Sequence, residues 1–256
     1  MRFFGEFSVH VGEAPVEQLC TGQISALFQC LLLNRGRTVG RDQLFEVLWP
    51  GREWSSMGRA LKVTAHSLRR ALKDAVVGTG APPAEISWQG HGYVLRADDL
   101  WLDVDEFGAS MDAGRTAADD GDPGLAMRCY RRAVELYRGD LLMAEAGDWA
   151  TARRECDRAL VLYALGCLRA DALHRGSHPE VLALCRRIIE IDPYHEEMYQ
   201  TLMLVHGRRG ELGQVRNWHE LCVRRLRDDL DVTPTATTSG IYTRAVRGEL
   251  REWAAA

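Results

Sequence analysis

From Val104 to the end of the chain the apolar residues recur almost entirely at helical spacing, which restricts this part to an assembly of helices. Leu125, Cys129, Ala133, Leu136 and Tyr137 share one predicted helix face after a start at Pro123. The run from Trp149 to Arg175 reads as one long helix stopped at Gly176. Three more helices follow, punctuated by Pro179, Asp192-Pro193 and Gly210, and the stretch from Pro234 to Val246 can form a last short one. Helices joined by short loops, with a proline one helix pair apart, suggest tetratricopeptide-like stacking. The clearest pair begins at Asp192-Pro193 and turns at Gly207 and Gly210.

Before Leu100 the pattern is different. Phe3, Phe4, Phe7, Val9 and Val11 alternate weakly and meet the turn cluster Gly12 to Pro15, predicting short antiparallel strands. Thr21 precedes a helix with Ile24, Leu27, Phe28, Leu31 and Leu32 inward, ending near Asn34-Arg35-Gly36. After the extended Val39, a second helix begins at Arg41-Asp42, buries Leu44, Phe45, Leu48 and Trp49, and stops at Pro50-Gly51. The third, Gly58 to Lys73, places Leu61, Ala65, Leu68 and Leu72 on one face. One position round lies a basic stripe of Arg59, Lys62, His66, Arg69 and Lys73, with Val63, Ser67 and Arg70 beyond it. Its length, ~24 Å, would let that cationic side enter a DNA major groove ~12 Å wide. A Gly/Pro loop then leads to a hairpin in which Ile86 and Trp88 alternate, Gly90 and Gly92 permit the turn, and Tyr93-Val94-Leu95 returns.

Net charge is −4, which looks wrong for a nucleic-acid binder until it is divided. Arg35 to Lys73 holds nine basic residues against the acids Asp42, Glu46 and Glu53, so the cations are concentrated in one place. At 256 residues the chain can bury one large core or two ordinary ones. No stretch approaches a membrane span, since Ala26 to Leu33 is interrupted by Gln29, and the N-terminus reads as strand rather than signal peptide. The seven cysteines are scattered without ligand spacing, which favours reduced thiols and the cytoplasm over zinc or disulfides. Phosphate-loop, HExxH and GxSxG patterns are missing. His66 and Ser67, neighbours on a helix, point about 100° apart and cannot share a proton. His195 beside Glu196-Glu197, and the pair His174/His178, fit helix ends better than metal sites. No catalysis, metal or cofactor is expected.

Three helices, the third cationic, followed by a glycine-centred hairpin are the element order of a winged helix-turn-helix. The segments RTVGRDQLFEVLWP (37–50), RALKVTAHSLRRALKD (59–74) and ISWQGHGYVL (86–95) resemble the OmpR/PhoB-type DNA-binding domain, in the version found in the Streptomyces antibiotic regulatory proteins. The helices beyond resemble the bacterial transcriptional activation domain that follows the winged helix in the same regulators. The expected fold is therefore an α+β winged helix-turn-helix over 1–97, followed by an all-α tetratricopeptide-like domain over 103–250. With no ATPase module after the helices, the chain reads as a short member.

The resemblance implies a sequence-specific transcriptional activator. Arg69 and Arg70 would reach guanine edges or phosphates, flanked by Arg59, Lys62, His66, Ser67 and Lys73, with Val63 against a thymine methyl. The family often carries arginine where Ser67 and Gln89 stand, which alters the base preference and the wing contact. The wing tip, Gln89 to His91, would touch the minor groove, and Arg35, Arg37 and Arg41 the phosphates. The family binds tandem promoter direct repeats, as a dimer on DNA, and contacts RNA polymerase holoenzyme through its sigma, alpha or beta subunits. Here Gly51, Arg52, Glu53 and Trp54 would make that contact, although Trp54 can equally be a cover packed over the domain. A cytoplasmic, nucleoid-associated regulator of secondary metabolism is implied. The alternative is a repeat-type adaptor whose winged helix contacts protein.

Overall fold

In a computed structural model the described residues are 1–52, 58–79, 84–97, 100–143 and 148–250. The first part holds β1 (His10–Val11), β2 (Ala14–Pro15), α1 (Gly22–Leu33), β3 (Val39–Gly40), α2 (Arg41–Leu48), α3 (Gly58–Ala75), β4 (Glu85–Gln89) and β5 (Gly92–Arg96). Then follow α4 (Asp103–Asp119), α5 (Pro123–Leu136), α6 (Thr151–His174), α7 (His178–Ile191), α8 (Glu196–Arg208), α9 (Leu212–Leu230) and α10 (Ala236–Val246). Two compact units form, one from Met1–Ser110 with Glu135–Asp157 and the other from Met111–Val134 with Arg158–Ala256.

The first unit is a small winged helix. Leu27, Phe28, Leu31 and Leu32 of α1 are buried, as are Leu44, Phe45 and Leu48 of α2 and Leu61, Ala65, Leu68 and Leu72 of α3. These are positions that helical spacing selects; Ile24, expected beside them on α1, is half-buried. β3, β5 and β4 form an antiparallel sheet in that order, with Trp88 opposite Tyr93 and Gln89 opposite Gly92. Gly90 has φ +57°, the left-handed value required of the first position in a two-residue hairpin turn. Gly92 is required for a different reason: a Cβ there would lie 2.0 Å from the Val39 carbonyl oxygen.

The N-terminal stretch forms the expected short antiparallel strands in part. Only His10–Val11 and Ala14–Pro15 pair as strands, while Arg2 bridges Ser8 and Phe4 bridges Leu141. The amides of Phe3 and Phe4 donate to the buried Asp103 carboxylate at 2.8–3.1 Å. Leu142 N donates to Phe3 O at 2.9 Å and Gly5 N to Asp140 O at 3.0 Å. Buried backbone groups must find partners, and here those partners come from 103 and 140–142. Phe4 also packs its ring on Phe107 and Tyr137, at centroid distances of 5.0 and 4.9 Å. This compact unit consequently runs past residue 97. Burial pushes the Asp103 carboxyl above the usual carboxylate range, against the opposing pull of the Phe4 and Phe3 amides.

The second unit is helical. Of the inward face expected for α5, Ala133, Leu136 and the following Tyr137 are buried and Cys129 is half-buried, whereas Leu125 is 40 % exposed and Ala126 and Tyr130 are buried instead, so the expectation fails only at the start of the helix. Tyr130 packs where Gly114 on α4 has no side chain: a Cβ there would meet the Tyr130 ring at 2.5 Å. Farther on, Met203, Val215, Ala245 and Leu250 form a core from α8, α9 and the end of the chain, closed by Trp218, Ile241 and Tyr242. α10 is capped by Thr235, whose amide and hydroxyl both donate to the Glu196 carboxylate, at 2.8 and 2.7 Å.

Candidate nucleic-acid interface

The inner face of α3 is fixed by its leucines, so its outer face is presented to solvent as a rigid surface. Arg59, Lys62, His66, Arg70 and Lys73 are exposed there, Val63 is 57 % exposed and Ser67 is half-buried. Among the described residues Arg59, Lys62 and Lys73 make no ion pair, and Arg70 has only a loose one, its Nε 3.8 Å from Asp74. Among the described residues, then, Asp74 is the acid that comes near these cations, and it leaves Arg59, Lys62 and Lys73 without an ion pair.

Arg69 is placed differently. It is half-buried, its Nε donates to the Ile86 carbonyl at 2.8 Å, and its guanidinium lies 5.5 Å from the Tyr93 ring centre. It faces the hairpin rather than outward. At the hairpin tip His91 is exposed and Gln89 half-buried, and the His91 carbonyl accepts the Arg41 amide at 3.1 Å. That bond ties the tip to the start of α2.

Between α3 and the hairpin lies a groove of about 580 Å³, lined by Arg41, Leu61, Lys62, His66, Arg69, Trp88 and Tyr93. Two aromatic rings form one wall, edge to face at 5.0 Å. Alternation makes Trp88 look like a core residue beside Ile86. Ile86 is indeed buried, but Trp88 on the same strand face is 48 % exposed, because it lies farther along the hairpin and lines the open groove. An aromatic two residues before a glycine turn is the sequence signal that could have marked it.

Of the other predicted phosphate contacts, Arg41 and Arg37 are exposed. Arg35 is engaged: Nη1 donates to Asp105 Oδ1 at 3.3 Å and Nη2 to Oδ2, a bidentate pair. In the predicted polymerase-contacting loop Gly51 and Arg52 are exposed, while Glu53 and Trp54 lie outside the described residues. Among the described residues no helix is long and apolar enough to cross a membrane.

Comparison with known proteins bears on both parts. Residues 102–246 match the family model described as bacterial transcriptional activator domain, and residues 17–95 match that of the transcriptional regulatory protein C-terminal domain. Transcriptional regulator RedD of Streptomyces coelicolor is 27 % identical, over 84 % of this chain and 61 % of its own length. Regulatory protein DnrI of Streptomyces peucetius is 28 % identical, over 87 % of this chain and 83 % of its own. Regulatory protein AfsR of Streptomyces coelicolor is 28 % identical over 91 % of this chain, which spans only 23 % of AfsR. A solved structure of Mycobacterium tuberculosis EmbR in complex with a low-affinity phosphopeptide shares the fold, with a TM-score of 0.65 and 24 % identity over 99 % of this chain and 68 % of that one.

Proposed function

The chain belongs to the bacterial transcriptional activator domain family, among regulators of the Streptomyces antibiotic regulatory protein type, and on that premise we propose that it binds promoter DNA through α3 and activates transcription. Proteins of this family are transcriptional regulators rather than enzymes. The observation that carries the reading is the outer face of α3, where Arg59, Lys62 and Lys73 stand exposed, with no ion pair among the described residues, beside a cationic groove. Such a face attracts a polyanion because each phosphate contact releases condensed counterions.

In this reading residues 1–97 are the DNA-binding module and 103–250 the activation module. α3 lies in the major groove, with Arg70, His66 and Arg59 toward base edges, Ser67 beside them and Val63 against a thymine methyl. Lys62 and Lys73 meet phosphates, as do Arg37 and Arg41, and the tip residues Gln89 and His91 meet the minor groove. Arg35 has to leave Asp105 before it can join them. Two copies would sit head to tail on a direct repeat. The loop from Gly51 and Arg52 into Glu53 and Trp54, together with the helical part, would touch RNA polymerase holoenzyme. Control of secondary-metabolite genes, in the cytoplasm at the nucleoid, follows from the family premise.

Selection of bound sequences from random duplex DNA by the purified protein, at two salt concentrations, tests the reading. Enrichment of a direct repeat with affinity that falls steeply with salt is the expected result. Absence of binding even at low salt would sink it and favour an adaptor. Run-off transcription from a promoter carrying the selected repeat then tests activation.

A further inference from the structure

The groove beside α3 depends on one contact that the outward face does not share. β4 is the edge strand of its sheet, hydrogen-bonded to β5 on one side only. The two-residue turn makes Gln89 and Gly92 the closing pair, so Ile86, three positions back, falls at a site whose carbonyl points off the sheet edge. That carbonyl is the one Arg69 Nε reaches, at 2.8 Å, across 17 residues of sequence. The same guanidinium lies over Tyr93 on β5. Arg69 thus touches both strands of the hairpin from α3. Successive residues on a helix point about 100° apart, so Arg70 projects outward, with 81 % of its side chain exposed, while Arg69 is turned to the hairpin.

We propose, on the premise that α3 and the hairpin bind DNA together, that Arg69 is a positioning residue. It sets the spacing between recognition helix and wing, and base reading falls to the outward residues Arg59, His66 and Arg70. Two surfaces that grip one duplex must be held at a fixed separation, and a loose hairpin would weaken every site alike instead of changing which base is preferred.

The test uses the full chain with Arg69→Ala, Arg69→Lys and Arg70→Ala, read by amide hydrogen exchange of residues 84–96 without DNA and by selection from random duplexes. Arg69→Ala is expected to speed exchange in the hairpin by about tenfold. It should lower affinity for all enriched sites by a common factor of about tenfold while leaving the preferred bases unchanged. Arg69→Lys, which keeps a donor for Ile86 but loses the guanidinium over Tyr93, should fall between, and covers the case in which the alanine variant folds poorly. Arg70→Ala should relax the preference at a single base position with exchange unaltered. Unchanged hairpin exchange in Arg69→Ala, with one base position relaxed, would overturn the proposal and make Arg69 a base reader. If the wild-type protein enriches no sequence, the DNA-binding premise fails, and the exchange result alone still decides whether Arg69 holds the hairpin.

Discussion

α3 and α9 are both rich in cations, and most of those on α9 already have partners. α9 carries Arg216, Arg224, Arg225 and Arg227, four cations in 19 residues against five in the 18 of α3. Yet Arg216 pairs with Glu220 at 2.7 Å, Arg225 donates to the Tyr199 hydroxyl at 2.7 Å and Arg227 pairs with Asp228 at 2.9 Å, which leaves Arg224 as the arginine of this helix that is exposed with no ion pair among the described residues. On α3 Asp74 is the acid present, and it sits 3.8 Å from Arg70 at the far end. The lesson is that a count of cations along a helix does not identify a nucleic-acid face. What decides is whether acids or hydroxyls nearby have already taken the charge.

Reversing charge on the two helices should separate them most sharply. Arg59→Glu with Lys62→Glu is expected to weaken binding to the selected duplex by at least about 100-fold near physiological salt. Arg216→Glu with Arg224→Glu should change it by less than about twofold, and fluorescence anisotropy reads both. Equal losses would mean that α9 also faces DNA.

A second contrast concerns what an acid does in each unit. Asp103 is buried and holds the Phe3 and Phe4 amides, so Asp103→Ala strands two backbone donors and should destabilise the first unit by about 3 kcal/mol in denaturant unfolding. A loss under about 0.5 kcal/mol would show that water replaces the carboxylate.

Smaller still is the effect of removing one phosphate contact. Lys62→Ala should reduce the slope of log affinity against log salt by about 1, with thermal unfolding unchanged. An unaltered slope would place Lys62 off the DNA.

The smallest effect belongs to the surface acids of the second unit. The hydrogen bond from Arg175 holds the Glu180 carboxyl below its ordinary value of 4.5, opposed by partial burial and helped by Arg131. Because the folded-state pKa is lowered, this stabilisation is present above about pH 4.5 and is lost as pH falls below it. Glu180→Gln should cost less than about 1 kcal/mol at neutral pH, since water screens an exposed pair, and should flatten the acid limb of the unfolding curve. An unchanged acid limb would remove Glu180 from the account.

Much of this was legible in the chain itself. Helical periodicity located α1, α2, α3 and α6 to α10, and the expected inward residues of the first three are buried except Ile24, which is half-buried. The glycines of the hairpin marked its turn. The outward position of Arg70, Lys62 and Val63 followed from the same periodicity. Harder to see were the first turns of α5, where Ala126 and Tyr130 rather than Leu125 are buried, and the groove role of Trp88, which alternation alone assigns to the core.

By itself the sequence determined which residues share a face, because helical and strand periodicities are set by bonds between residues a few positions apart. Only the tertiary structure decided which cations are occupied. Arg35 meets Asp105, 70 residues on; Arg69 meets Ile86, 17 on; the amide of Phe3 meets Asp103, 100 on. No local pattern encodes such pairings. They depend on how elements pack after their own periodicities are satisfied, and that packing turned Arg69 inward toward the hairpin while leaving Arg70 in solvent.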